Sequence, residues 1–205
     1  MPTGTGEADP GIDADGPAAW PPDPLAARLA SDLDGAFPAL VTAHADLVYA
    51  VAMRSTRDAM AAEDLAQDAF VRAYRALERY PAQRVRDLHL RAWLSRITLN
   101  LARNRARDRR ARPAEAPLEA IAFDAADAAP RPDEAVLRRE SAAAWQARLA
   151  ALPPAYAMAV ELRHVHGLSY AEMAEALGRP LNTAKVHVHR GLALLRTAYE
   201  KEIQS

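Results

Sequence analysis

Cysteine is absent from the 205 residues, which removes disulfides, thiol nucleophiles and thiolate metal sites together. Glycine occurs only 8 times and aromatics make up 6% of the chain, and no glycine-rich phosphate loop is present. Stretches of about 18 consecutive apolar residues, the length a membrane span needs, do not occur. The N-terminal MPTGTGEADPGIDADGPAAW lacks the basic start and apolar core of a secretion signal. These absences exclude redox and thiol chemistry and point to a soluble, cytoplasmic chain with no membrane insertion.

What remains is rich in helix formers. Half the residues are apolar and 26% charged, with Ala, Leu, Arg and Glu abundant, and these side chains lose little rotamer freedom in a helix. An all-α fold of one or two small domains is expected. The formal charge is -1, yet its sign alternates along the chain. Residues 1–34 carry Glu7, Asp9, Asp13, Asp15, Asp23, Asp32 and Asp34 against Arg28. Residues 91–112 carry Arg91, Arg96, Arg103, Arg105, Arg107, Arg109, Arg110 and Arg112 against Asp108.

Composition divides the chain into four parts. Residues 1–34, rich in Pro, Gly and Asp with no apolar period, read as a disordered acidic tail. Residues 35–112 carry helical stripes: Leu40, His44, Leu47, Val48 and Val51, then Leu65, Ala69, Phe70, Ala73 and Leu77, then Trp93, Leu94, Ile97 and Leu101. Residues 113–136 return to Pro, Ala and acid, a linker broken by Pro130 and Pro132. Residues 137–205 form a second helical unit, in which Trp145, Leu149 and Leu152 make one stripe and Pro153-Pro154 interrupts it. Gly167 reads as a helix stop.

Ser169-Tyr-Ala-Glu172 has the spacing of a capping box, with Leu168 and Met173 placed as a hydrophobic staple. A helix starting there stops at Gly178, and a short Arg179-Pro180-Leu181 turn precedes another helix, with Asn182 as its expected cap. This is a helix-turn-helix pattern. In NTAKVHVHRGLALLR, Ala184, Val188, Gly191, Leu192 and Leu195 form an inner face, leaving Lys185, Val186, His187, His189 and Arg190 outward to meet phosphate or base edges. A solvated basic helix is the plain alternative. The histidine pairs His187/His189 and His164/His166 are spaced by two, so on a helix each pair points to nearly opposite faces, and no metal site is expected.

Two further segments carry functional potential. WLSRITLNLARNRARDRRAR joins one apolar stripe to a run of arginines able to face a phosphate backbone, although a basic helix end also merely complements its dipole. Asn100 and Asn104, one turn apart, can reach bases or sugars. In AEDLAQDAFVRAYRAL, Asp64, Gln67 and Asp68 form an acidic ridge. Paired carboxylates suit acid-base chemistry or a cation, but no His, Ser or glycine loop accompanies them, and a solvated acidic face is the simplest alternative.

The order of these features resembles the extracytoplasmic-function branch of bacterial RNA polymerase sigma factors, over about residues 37–200. The resemblance implies a region 2 helical bundle and a region 4 helix-turn-helix domain joined by a flexible acidic linker. It implies that Asp64, Leu65, Gln67, Asp68 and Arg72 bind the clamp coiled coil of core polymerase, that Asn100, Arg103, Asn104 and Arg107 lie at the promoter -10 element, and that loop 80–90 holds a flipped base. Lys185, Val186, His187, His189 and Arg190 would meet the -35 element, with Arg196 nearer the backbone. The linker would occupy the path of nascent RNA, the polymerase flap would hold the second domain, and an anti-sigma factor would restrain the whole. No cofactor, metal or catalytic residue is implied.

Departures from the family pattern sit in the DNA-reading parts. Asn104 stands where an acid is usual, Asn182 and Ala184 replace a usual Gly and Val, and His187 replaces a usual Arg. The loop PAQRVRDLHLRAWL is longer than usual and lacks the common Ser-Phe. Two rivals stay open: a dimeric helix-turn-helix repressor, which has no use for the Asp64–Asp68 ridge, and a helical adaptor or enzyme acting through the acidic pair.

Overall fold

The structure is a computed structural model that describes residues 23–111 and 144–203. Every regular element among the described residues is helical, as the composition requires. The N-terminal unit contains α1 (Pro24–Ser31), α2 (Leu33–Thr56), α3 (Ala59–Leu77), α4 (Ala82–Arg86) and α5 (Leu90–Ala111). Aspartates start the first three helices. Asp23 Oδ1 accepts from the Leu25 N–H at 2.8 Å, Asp32 Oδ1 from Gly35 at 2.9 Å and Asp58 Oδ1 from Ala61 at 2.7 Å. Each such cap is worth about 1 kcal/mol.

The first of these helices corrects the reading of 1–34 as a tail. Pro24 at the first helical position, the Asp23 cap and the buried Ala26 and Leu29 make Pro24–Ser31 a packed helix. Composition hid it because its acids are caps, not solvated charge. Residues 1–22, the linker at 113–136 and the segment 137–143 lie outside the described residues.

Leu40, Val48, Leu65 and Leu94 are fully buried where α2, α3 and α5 meet, each contributing about 1.5–3 kcal/mol. By length and composition α2 is apolar enough to cross a membrane. Its apolar side chains instead fill this bundle core and, through Leu47 and Val51, a second one. The segment 80–90 is no open loop: α4 interrupts it, because Val85 is drawn into the core beside Leu90 and Trp93.

The C-terminal unit starts with α6 (144–150) and α7 (Pro154–Val160), continues through a single π-helical turn at Glu161–Val165, and ends with α8 (Tyr170–Leu177) and α9 (Leu181–Ile203). Pro153-Pro154 breaks the chain between α6 and α7, and Gly167, at φ +63°, turns it toward α8. Both bonds of the expected capping box form: Ser169 Oγ accepts from the Glu172 N–H at 3.2 Å and Glu172 Oε2 from the Ser169 N–H at 2.8 Å. Leu168 and Met173, the staple, are fully buried in one cluster. The last helix starts two residues earlier than the sequence suggests. Pro180, not Asn182, is its boundary, because the Pro180 carbonyl already accepts from the Thr183 and Ala184 N–H groups at 2.9 and 3.2 Å.

The two units meet along a seam. Leu47, Val51 and Leu99 share one apolar cluster with Met158, Leu162, Leu168, Tyr170 and Met173, so α2 and α5 lie directly against α7 and α8.

Candidate nucleic-acid and polymerase interfaces

On α5 two faces have different work. Leu90, Leu94 and Trp93 enter the bundle core, while Asn100, Arg103, Asn104 and Arg107 are all exposed. Each asparagine holds the arginine one turn on: Arg103 Nη1 donates to Asn100 Oδ1 at 3.1 Å and Arg107 Nη2 to Asn104 Oδ1 at 3.4 Å. The guanidiniums thus stand in a row with neutral partners, keeping their full charge. Arg105 turns the other way and pairs with Asp68.

The acidic ridge on α3 is present as a surface. Asp64, Gln67, Asp68 and Arg72 are exposed, with part of the Asp68 charge compensated by Arg105. Leu65 does not belong with them. It is 0% exposed and packed in the core, so it supports the helix and cannot touch a partner while the bundle is folded. Sequence reasoning missed Met60 and Val71, which are 54% and 48% exposed beside the ridge. Their spacing of four and seven residues from Asp64 puts them on the same face. Apolar residues standing off the core stripe were the available signal.

The second candidate face is on α9. Ala184 and Val188 are buried, and Gly191 lets the helix approach α7 so closely that a Cβ there would stand 2.5 Å from Val160 Cγ2. Leu192, expected on this inner face, is instead exposed. Leu195, three residues further on, still packs against the Leu149 and Val160 cluster, so Leu192 stands beside the covered stripe and not beyond its end. Outward lie Val186, His189, Arg190 and Arg196, all exposed, with Lys185 and His187 partly covered. Tyr156, unnoticed in the sequence, organises this face: its ring centroid lies 5.3 Å from that of His187, and its hydroxyl accepts from Arg190 Nη1 at 3.3 Å. Lys185 Nζ sits 5.6 Å from the Tyr170 ring centroid.

Polar links cross the seam near both readers. Arg54 Nε donates to Glu161 Oε2 at 2.7 Å, with side chains only 11% and 5% exposed, and Arg54 Nη2 donates to Gln146 Oε1 at 2.6 Å. His89 Nδ1 lies 3.0 Å from Glu175 Oε2, Arg91 donates to the His166 carbonyl, and Arg103 Nη2 reaches the Leu177 carbonyl at 3.4 Å. Burial holds His44 and His166 below the ordinary histidine pKa, and the nearby Arg91 cation adds to the effect. Where the chain crosses 80–90, Arg84 stacks 3.8 Å over the Tyr80 ring, which in turn leans on Trp93 at 6.3 Å.

Comparison with known proteins finds the same two-unit organisation. The family profile for sigma-70 region 2 matches residues 40–112, and that for sigma-70 region 4 matches 142–195. The chain is 37% identical over 158 residues to the ECF RNA polymerase sigma factor SigE of Mycolicibacterium smegmatis, covering 77% of this chain and 59% of that protein. It is 33% identical over 175 residues to the RNA polymerase sigma-H factor of Pseudomonas aeruginosa, covering 82% of this chain and 86% of that protein. With the ECF sigma factor SigW of Bacillus subtilis the identity is 31% over 167 residues, 78% of this chain and 87% of that one. The fold is similar to CnrH in complex with the cytosolic domain of CnrY, with TM-score 0.60 and 26% identity over 86% of this chain and 96% of that one. A further fold likeness, at TM-score 0.55 and 20% identity over 83% and 98% of the two chains, is to the sigma factor RpoE in complex with the anti-sigma factor NepR from Bartonella quintana. A helical bundle, a helix-turn-helix behind it, and this degree of identity across both place the chain in the ECF branch of the sigma-70 family of RNA polymerase sigma factors.

Proposed function

We propose that this chain directs promoter recognition and the start of transcription from the cytoplasm, as a core polymerase subunit with no catalytic group of its own. One observation carries the reading: two separate outward faces rich in Arg, Lys, Asn and His, on α5 and α9, share one chain with the exposed acidic ridge on α3. In this reading Asp64, Gln67, Asp68 and Arg72 meet the clamp coiled coil, with Met60 and Val71 adding apolar contact. Asn100, Arg103, Asn104 and Arg107 meet the -10 element, and Lys185, Val186, His187, His189, Arg190 and Arg196 the -35 element. The stacked Arg84 and Tyr80 are the part of 80–90 best suited to hold a flipped base, because extrusion is favourable only where a ring or guanidinium replaces the lost stacking. The acidic segment 113–136 would lie in the path of nascent RNA. An anti-sigma partner fits the same reading, since RpoE is paired with one in the similar structure.

Reading both elements requires the seam to open. The elements are about 25 base pairs apart, roughly 85 Å at about 3.4 Å per base pair, whereas Arg103 of α5 and His187 of α9 line a single cavity of about 450 Å³. Residues 112–143 can reach at most about 100 Å at roughly 3.3 Å per residue, enough to keep the units joined at that separation. Run-off transcription with core polymerase and a genomic promoter library tests the proposal. Start sites that appear only with the added chain are expected. Unchanged start sites would overturn it, and tight specific binding of promoter by the purified chain alone would favour the dimeric repressor.

A further inference from the structure

The cavity of about 450 Å³ at the seam is lined by Arg54, Arg57, Arg103, Arg179 and His187, and its remaining lining is Ser55 and apolar side chains, including Leu99, Met158 and Leu177. No carboxylate lines it. Arg54 is matched by Glu161 outside the cavity. Arg103 has only neutral acceptors, and among the described residues neither Arg57 nor Arg179 takes part in an ion pair. Three uncompensated guanidiniums therefore converge, from both units, on one concavity with an apolar floor.

A second observation singles out Arg57. It stands at the C-terminal end of α2 with φ +59°, and it is the one residue other than glycine with positive φ among the described residues. Glycine or asparagine relieves such a position. The left-handed cap is closed by the Arg57 N–H, which donates to the Met53 carbonyl at 2.8 Å, and it leaves the Arg57 side chain in the cavity lining.

We propose that this cavity binds a small polyphosphate-bearing ligand with a flat apolar part, a nucleoside di- or triphosphate. Guanidiniums pair with phosphate oxygens in the bidentate geometry that favours Arg over Lys, and the volume lies in the range of about 300–1,000 Å³ typical of small-molecule sites. The Leu99, Met158 and Leu177 floor accepts a base. Duplex DNA is a poorer occupant, because its backbone cannot enter a concavity walled by both units. A ligand gripping Arg57 and Arg103 on one side and Arg179 and His187 on the other ties the units together. Resting on the promoter-reading proposal above, such a ligand competes with DNA for Arg103 and His187.

Calorimetric titration of the full chain with ATP, with sodium pyrophosphate and with adenosine tests the site without polymerase or promoter. Saturable binding of one ATP per chain is expected, at least tenfold tighter than pyrophosphate or adenosine. Arg57→Gly combined with Arg179→Ala should weaken ATP at least tenfold. Both positions are exposed and glycine suits the Arg57 backbone, so the melting temperature should hold. Arg28→Ala, on α1 far from the cavity, should leave the affinity unchanged. Equal affinity for pyrophosphate and ATP would overturn the nucleotide assignment. Absence of saturable binding, or equal weakening by Arg28→Ala, would overturn the site itself.

Discussion

The Arg54–Glu161 pair offers the sharpest test of the seam, because it joins α2 to the turn after α7 and is nearly out of water. Removing one partner of a buried pair costs about 3–5 kcal/mol, most of it the uncompensated charge left behind. Here Arg54 also bonds Gln146 at 2.6 Å, and that neutral acceptor remains in Glu161→Gln. The expected loss is therefore lower, about 2 kcal/mol, enough to raise the open fraction roughly 30-fold. Since the chain has no cysteine, Glu78→Cys and Glu200→Cys, both at exposed sites, allow two dyes to report the distance between units. Single-molecule energy transfer should show a low-transfer population growing in Glu161→Gln and in Arg54→Met. The double variant should resemble either single one, a coupling of about 2 kcal/mol. Additivity within about 0.5 kcal/mol, or an unchanged distance distribution, would refute the claim that this pair holds the seam.

Charge reversal on α3, Asp64→Lys with Asp68→Lys, should abolish binding to core polymerase in a pull-down while leaving helical circular dichroism intact; retained binding removes the clamp assignment. Arg190→Ala should weaken -35 binding by holoenzyme by about 1–3 kcal/mol if its contact is to a base edge, and an unaltered footprint over that element would reject the placement. Acidification should weaken the fold through His44 and His166. Burial lowers both below the ordinary 6.5 in the folded chain, so below that value the unfolded chain binds more protons. The associated stability is present above about pH 6.5 and is lost as pH falls toward the folded values. Urea midpoints should decline from pH 7.5 to 5.5, less so in His166→Asn, and flat midpoints would contradict the linkage.

Patterns that depend on neighbours in sequence were legible, and those that depend on neighbours in space were not. The capping box at Ser169, the stop at Gly178 and the stripe Leu40–Val51 follow from local hydrogen bonding and helical period, and each appears in the fold. The acidic ridge and the outward residues of α9 followed from the same period. Leu65 was grouped with a surface it does not share because it stands between Asp64 and Gln67 in sequence, although helical geometry turns it inward. Leu192 failed because the covered stripe runs through Ala184, Val188, Gly191 and Leu195, and Leu192 stands beside it. The seam was invisible altogether. Arg54 and Glu161 are 107 residues apart, and Leu99 stands off the stripe of Trp93, Leu94, Ile97 and Leu101, with nothing to show what covers it until α8 is seen against it.

That seam changes how the arginine-rich helix is understood. With a net charge of -1, the free chain has little general attraction for DNA, and what cationic density it has is partly spent inward. Arg54 is matched by Glu161 and Arg103 is drawn toward the Leu177 carbonyl across the seam, while Arg105 is matched by Asp68 within the N-terminal unit. On the proposed reading, the closed units place the α5 and α9 faces too near each other for a promoter about 85 Å long. A few kcal/mol of seam stability leaves the open form at the per cent level or below. Any partner that binds the units only when apart must supply that difference, and its apparent affinity falls by the same fraction. Core polymerase can do so, because fixing both units at once gives the second contact a high effective concentration. DNA alone cannot, since each face offers it only a few exposed cations. If the proposed promoter reading holds, its dependence on polymerase rests on the contact between α5 and α8, and weakening that contact should make the free chain a better DNA binder than the native one.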